Sequence, residues 1–296
     1  MLTTLSGKEV PFIALGTYPL QGERMASNVY EAIKIGYRLI DTSDDYRNED
    51  GVGLGCERAI CDGIVKREDL FLLTKVSDDG AYSDEYLLGT YFCKQSQFMK
   101  RHTVYEVVRE KVENSLYELR TDYLDALCVH HAYEGFYEQI WEAMIRLHKE
   151  GLVRYIGVSN CGVRHMEVLS HYEFRPQFNE SYFSPICTKN EVVRYCHQQG
   201  VQLLTYSPLI DIRGNRLTDV LFAELAAKYK VSVAQLVLAW NIGVGSIPLP
   251  KSQSVKRLRE NFDALKVILS SEDIAKLSLL NNNRQYSAES KTCPGL

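Results

Sequence analysis

Four residues with complementary acid–base chemistry stand at or just past the ends of short apolar runs. Asp41 follows Leu39 and Ile40, Lys75 follows Leu72, Leu73 and Thr74, His130 follows Leu127, Cys128 and Val129, and Tyr46 lies five residues beyond Asp41. Together they are the set that proton-coupled hydride transfer to a carbonyl needs. A tyrosine delivers the proton, a lysine ammonium stabilises the phenolate left behind, a carboxylate holds the lysine charged, and an imidazole orients the carbonyl oxygen. The lysine matters because an unperturbed tyrosine, with a pKa of about 10, holds its proton too firmly at neutral pH. Taken singly, a buried Asp–Lys pair can be scaffolding and a lone histidine can be a satisfied core residue; four such groups at strand ends point to one site.

The runs that carry them are β-rich and short, and they alternate along the chain with helix-like stretches, as in a parallel sheet with crossover helices. Strand ends are expected near Gly16, Asp41, Lys75, His130, Asn160, Glu180, Tyr206 and Lys251. Eight strands close a (β/α)8 TIM barrel, whose chemistry sits at the C-terminal mouth of the strands. Residues 2–5 and 9–12 flank Ser6, Gly7 and Lys8 and predict an N-terminal β-hairpin over the barrel bottom. Thr103 and Glu106 form a capping box that opens a helix with Val104, Val107, Val108, Val112, Leu116 and Leu119 on one face. Phe136, Ile140, Met144 and Leu147 make a second stripe, stopped by Gly151. Nothing resembling a linker or repeat divides the chain, so residues 1–296 read as one domain. Gly51, Gly53 and Gly55 lack the spacing of a dinucleotide-binding fingerprint and read as a loop leading into a helix.

A net charge of −4 offers no footprint for nucleic acid or an anionic membrane. No apolar run approaches the ~20 residues of a membrane span, and the N-terminus lacks a signal-peptide pattern. The eight cysteines show no paired spacing, which argues for reduced thiols and a cytoplasmic protein, and no metal-ligand set is evident. A small-molecule carbonyl substrate is the partner expected; the oligomeric state stays open, and a monomer is consistent with the sequence.

Gly36-Tyr37-Arg38-Leu39-Ile40-Asp41-Thr42-Ser43, the run Leu152 to Asn160, Tyr206-Ser207-Pro208-Leu209 and Ile247-Pro248-Leu249-Pro250-Lys251-Ser252 resemble, in order, the signatures of the aldo-keto reductases. The resemblance implies a (β/α)8 barrel that reduces aldehydes and ketones with NADPH, without a metal, through Asp41, Tyr46, Lys75 and His130. It implies that Ser159, Asn160 and Glu180 meet the nicotinamide carboxamide, that Tyr206 stacks on the ring, and that Ser207 and Leu209 border the pyrophosphate. Lys251, Ser252, Arg257, Glu260 and Asn261 match the adenosine-phosphate site, where a lysine and an arginine can clamp a 2′-phosphate. Thr17 joins the cofactor-binding set, and Tyr18 and His131 the substrate pocket.

Three features depart from that pattern. Glu180 stands where the family usually has glutamine, and an ionised carboxylate cannot donate to the carboxamide. His131 follows the catalytic histidine where tryptophan is frequent. The segment after His130 is short, whereas residues 76–102 form a connection of 27 residues rich in Tyr82, Tyr86, Tyr91, Phe92 and Phe98. Connections typically run ~2–6 residues, so this one is expected to wall the substrate pocket on the active-site face. The alternative from another class is a cofactor-binding regulatory or sensor subunit with weak turnover, which an intact tetrad disfavours.

Overall fold

The computed structural model describes residues 2–5, 8–77, 102–133 and 135–284. An antiparallel hairpin, β1 (Leu2–Leu5) and β2 (Lys8–Pro11), pairs Leu2 with Pro11 and Leu5 with Lys8. Its second strand starts one residue earlier than the sequence suggests. The side chains that would cover the barrel bottom lie outside the described residues, as do residues 78–101 of the long connection.

Eight parallel strands follow: β3 (Ala14–Gly16), β4 (Leu39–Asp41), β5 (Phe71–Val76), β6 (Leu124–Val129), β7 (Val153–Ser159), β8 (Phe178–Glu180), β9 (Gln202–Tyr206) and β10 (Ser246–Leu249). They pair in chain order from β3 to β10, with helices between them. This is a (β/α)8 barrel, and each strand ends within two residues of the expected position. The first and last strands meet at Gly16, whose N–H donates to Pro250 O at 3.3 Å. A Cβ there would fall 2.8 Å from Leu249 O, so a glycine is what allows that approach.

Strand side chains alternate between the two faces of the sheet. The inner face is filled by Ala14, Leu39, Phe71, Leu73, Ala126, Cys128, Phe178, Leu204, Ile247 and Leu249. Outward residues such as Ile40, Leu72, Val76 and Val129 pack instead into the larger core shared with the helices. Two positions beyond an inner residue is again inner. Asp41 follows Leu39, Lys75 follows Leu73, His130 follows Cys128, Glu180 follows Phe178 and Tyr206 follows Leu204. The pleat of five different strands therefore delivers these five polar side chains to the top layer of the barrel.

The helices hold that layer from outside. Helix Val104–Glu118 opens on the expected capping box: Glu106 N–H donates to Thr103 Oγ1 (3.3 Å), and Thr103 N–H donates to Glu106 Oε2 (2.7 Å). Its buried face is Val104, Val107, Val108 and Val112, each side chain contributing about 1.5–3 kcal/mol by leaving water. Helix Tyr137–Lys149 buries Ile140, Trp141, Met144 and Leu147 and ends before Gly151 at φ 84°. Gly51, Gly53 and Gly55 correct the sequence reading: they lie inside helix Glu49–Cys61, not in a loop before it. Glycine costs a helix about 1 kcal/mol, but here it is packing that demands it. A Cβ on Gly51 would sit 2.7 Å from Gly22 O, and one on Gly53 2.3 Å from Glu118 O. Among the described residues no helix is long and apolar enough to cross a membrane.

Candidate active site

A cavity of about 590 Å³ opens at the C-terminal mouth of the barrel. It is lined by Thr17, Tyr18, Asp41, Tyr46, His130, Ser159, Asn160, Glu180, Tyr206, Ser207, Leu209, Arg213 and Lys251, with Gly16, Pro19, Pro208, Ile210, Leu249 and Pro250. Lys75 lies just beneath the floor and is buried, its Nζ 5.3 Å from the centre of the Tyr46 ring. The four tetrad residues are thus brought together.

Lys75 Nζ donates to Asp41 Oδ1, and to Thr42 O at 2.9 Å. It also lies 3.2 Å from Glu180 Oε2, an ion-pair contact outside hydrogen-bonding angles. Burial opposes the lysine's charge, but Asp41 and Glu180 outweigh it and hold the ammonium well above the ordinary lysine range. Two carboxylates around one ammonium leave a surplus negative charge. Burial and the charge of Asp41 push Glu180 up to about 8, against the pull of Lys75. At neutral pH Glu180 holds a proton and the buried cluster is close to neutral.

Tyr46 sits in a 3-10 turn, Asp44–Tyr46, capped by Ser43, with its ring centre 5.9 Å from that of His130 and 5.2 Å from that of Tyr18. Tyr18 itself is exposed at the rim of the mouth. Burial, the adjacent His131 and Lys75 hold His130 well below the usual imidazole range, so the ring is neutral. Its Nδ1 lies 2.6 Å from Ser77 Oγ. His131 stacks on His130 at 4.9 Å, and burial takes it down to about 4. It backs the His130 ring and is not among the described residues that line the cavity.

One wall is a hydrogen-bonded set. Asn160 donates through Nδ2 to His130 O (3.1 Å) and Ser159 Oγ (3.2 Å), and its Oδ1 accepts from Tyr206 OH (2.8 Å). Asn160 and Ser207 hold positive φ, 58° and 50°, sparsely populated conformations for non-glycine residues that recur where function requires them. Thr17 Oγ1 donates to Asp41 O at 2.9 Å.

At the far end, Lys251 is lowered by burial and by the charge of Arg213, two cations facing one cavity. An anion would relieve that repulsion. The remaining adenosine-site candidates stand outside the cavity lining. Ser252 is buried and its Oγ accepts from Ser254 N–H at 3.1 Å. Arg257 projects, exposed, from helix Val255–Phe262. Glu260 Oε1 accepts from Ser232 Oγ at 2.7 Å, and Asn261 is buried.

Sequence reasoning missed Arg213, Ser77 and Ser43. Arg213 ends a one-turn helix, Ile210–Arg213, that no periodicity announces. Ser77 had a signal, since it lies two residues past Lys75 on the same strand face.

The profile of the Aldo/keto reductase family matches residues 13–282. A glyoxal reductase of Bacillus subtilis is 36% identical over 284 residues, covering 95% of this chain and 92% of that protein. A methylglyoxal reductase of Escherichia coli is 27% identical, covering 96% and 94%. The crystal structure of an aldo-keto reductase from Bombyx mori in complex with NADP superposes with a TM-score of 0.82 at 30% identity, covering 96% of this chain and 94% of that one. With the barrel, the gathered tetrad and a match across nearly its whole length, the chain belongs to the aldo/keto reductase family.

Proposed function

We propose that the protein is an NADPH-dependent carbonyl reductase in which Tyr46 is the general acid. The observation that carries this is the stack beneath the cavity floor: Asp41 grips Lys75, and the Lys75 ammonium stands 5.3 Å from the Tyr46 ring centre. A buried cation beside a phenol stabilises the phenolate that forms when the proton leaves. Tyr46 and the neutral His130 line the same cavity, so a carbonyl oxygen held between them can receive the phenolic proton while His130 orients the substrate.

Two features of the chain fit the cofactor. Lys251 and Arg213 form a cationic end suited to phosphate, with Arg257 and the start of helix Val255–Phe262 nearby in sequence to take the 2′-phosphate. Glu180 Oε2 is a buried oxygen without an aligned hydrogen bond, placed to accept from a carboxamide beside Ser159 and Asn160. When bound, the nicotinamide supplies the hydride. Tyr206 would bear on one face of the ring, and the Asn160 amide, fixed by Tyr206 OH and His130 O, would hold its carboxamide.

An amine-based reaction at Lys75 is disfavoured, because its acidic neighbours, Asp41 first, keep it protonated. Steady-state NADPH oxidation with glyoxal, methylglyoxal and a panel of simple aldehydes and ketones tests the reading. Turnover of at least one carbonyl supports it; cofactor binding without turnover would favour a sensor or regulatory role.

A further inference from the structure

The turn Ile210–Arg213, which forms part of the cavity wall, is a helix of four residues, too short to hold an orientation by itself. Its charged side chains divide by direction. Arg213 lines the cavity, as does Lys251, whereas Asp211 is buried. Residues two apart on a helix do not share a face, so a hold on Asp211 from inside the fold fixes where Arg213 points. Such a hold is needed, because the charge of Arg213 opposes that of Lys251 across the empty cavity.

The hold comes from two sides. Asp211 Oδ2 accepts from Tyr182 OH at 2.6 Å, and Oδ1 accepts from Arg216 Nε at 2.8 Å. Tyr182 is fully buried, and its ring centre lies 6.3 Å from that of Tyr206. Arg216 folds back over the turn: its Nη2 donates to Ile210 O (3.1 Å) and its backbone N–H to Asp211 O (2.8 Å). A Cβ on Gly214 would fall 2.6 Å from the Arg216 guanidinium carbon, so a larger residue there would push Arg216 off this seat. Arg216 also satisfies the charge of Asp211. Arg213 forms no ion pair among the described residues and keeps its guanidinium for the cavity.

We propose that Asp211 is a positioning residue for cofactor binding: pinned inside the fold by Tyr182 and Arg216, it keeps Arg213 turned into the cavity that Lys251 also faces, where the two cations meet the pyrophosphate. The pyrophosphate is common to NADPH and NADH, so Asp211 acts on both, unlike a residue that reads the 2′-phosphate. The identity of the cofactor rests on the reductase reading; the hold of Asp211 on the turn does not.

Fluorescence titrations of the full chain with NADPH and with NADH test this as a double-mutant cycle between positions 211 and 213. Asp211→Asn keeps an oxygen for Tyr182 but loses the charge that seats Arg216. It should weaken both cofactors, by up to the ~10–150-fold expected from losing Arg213 itself. In the Arg213→Ala background the same change should cost no more than about twofold, because no guanidinium is left to aim. A residue that merely supported the fold would weaken binding by the same factor with or without Arg213. In turnover, the larger part of the change should fall on KM for NADPH rather than on kcat.

Losses that multiply in the double variant would overturn the positioning role, and so would an Asp211→Asn protein that binds both cofactors as tightly as the wild type. A loss confined to NADPH would place the effect at the 2′-phosphate and equally overturn it. If Asp211→Asn does not fold, Tyr182→Phe, which removes one of the two anchors and keeps the ring, takes its place in the cycle and is judged by the same outcomes. A wild type that binds both cofactors and reduces no carbonyl, with the cycle non-additive, would leave this inference standing and defeat the reductase reading instead.

Discussion

Glu180 Oε2 stands 3.2 Å from Lys75 Nζ, with both side chains buried. The ammonium that Asp41 holds from β4 is therefore also faced by a carboxyl from β8, and the charge of the cavity floor depends on whether that carboxyl keeps its proton. Burial and Asp41 push Glu180 up to about 8. Below that pH the floor is close to neutral; above it, a negative charge appears next to the proposed nicotinamide site.

That charge should set the cofactor's redox preference. The oxidised ring is cationic and the reduced ring neutral, so ionised Glu180 favours NADP⁺. Fluorescence titrations from about pH 7 to about pH 9 should show affinity for NADP⁺ rising relative to NADPH, on the order of tenfold for one charge at an effective dielectric of about 20. Glu180→Gln should hold the ratio constant at its low-pH value. A wild-type ratio that does not move with pH would mean that Glu180 does not ionise there.

The proposed phosphate contacts divide between two arginines. Losing a charge-assisted hydrogen bond costs on the order of 1.5–3 kcal/mol, or ~10–150-fold in affinity. Arg257→Ala should weaken NADPH and hardly touch NADH, as befits a 2′-phosphate contact. Arg213→Ala, from a residue on the cavity wall beside Lys251, should weaken both cofactors, as befits the pyrophosphate. Equal losses for NADPH and NADH in Arg257→Ala would remove it from the clamp.

Glu49 makes a prediction about stability. It is buried, accepts from Thr74 Oγ1 (2.6 Å) and Ser115 Oγ (2.9 Å), and burial pushes it up to about 7. An unfolded glutamate gives up its proton near 4.5. Between those values the folded chain binds more protons than the unfolded one, so stability falls as pH rises through that window, by up to about 3 kcal/mol. Glu49→Gln should abolish this component. Urea unfolding from about pH 5 to about pH 8 checks it, and equal pH slopes in the two proteins would show that Glu49 is ionised throughout.

Much of this site could be read from strand pattern alone. Asp41, Lys75, Glu180 and Tyr206 are at strand ends and His130 one residue past one, and a period of two puts all five on the inner face. What the pattern could not carry is distance across the barrel. Lys75 and Glu180 belong to β5 and β8, with two strands between them, and their contact depends on barrel closure and stagger. Gly51, Gly53 and Gly55 were misread for a related reason: the preference of glycine for loops is local, whereas the close approach of Gly22 O and Glu118 O is tertiary. Arg213 reaches the cavity from a single helical turn, too short to leave a periodic trace.

The assignment of Tyr46 as general acid is tested most directly by Tyr46→Phe, measured as single-turnover and steady-state kcat on whichever carbonyl the wild type reduces best, alongside NADPH affinity. General acid catalysis typically contributes ~10²–10⁴-fold. The account predicts that kcat falls by that factor while NADPH binds nearly as before. A Phe variant that keeps more than about half of the wild-type kcat, against the loss expected of a missing acid, would contradict it.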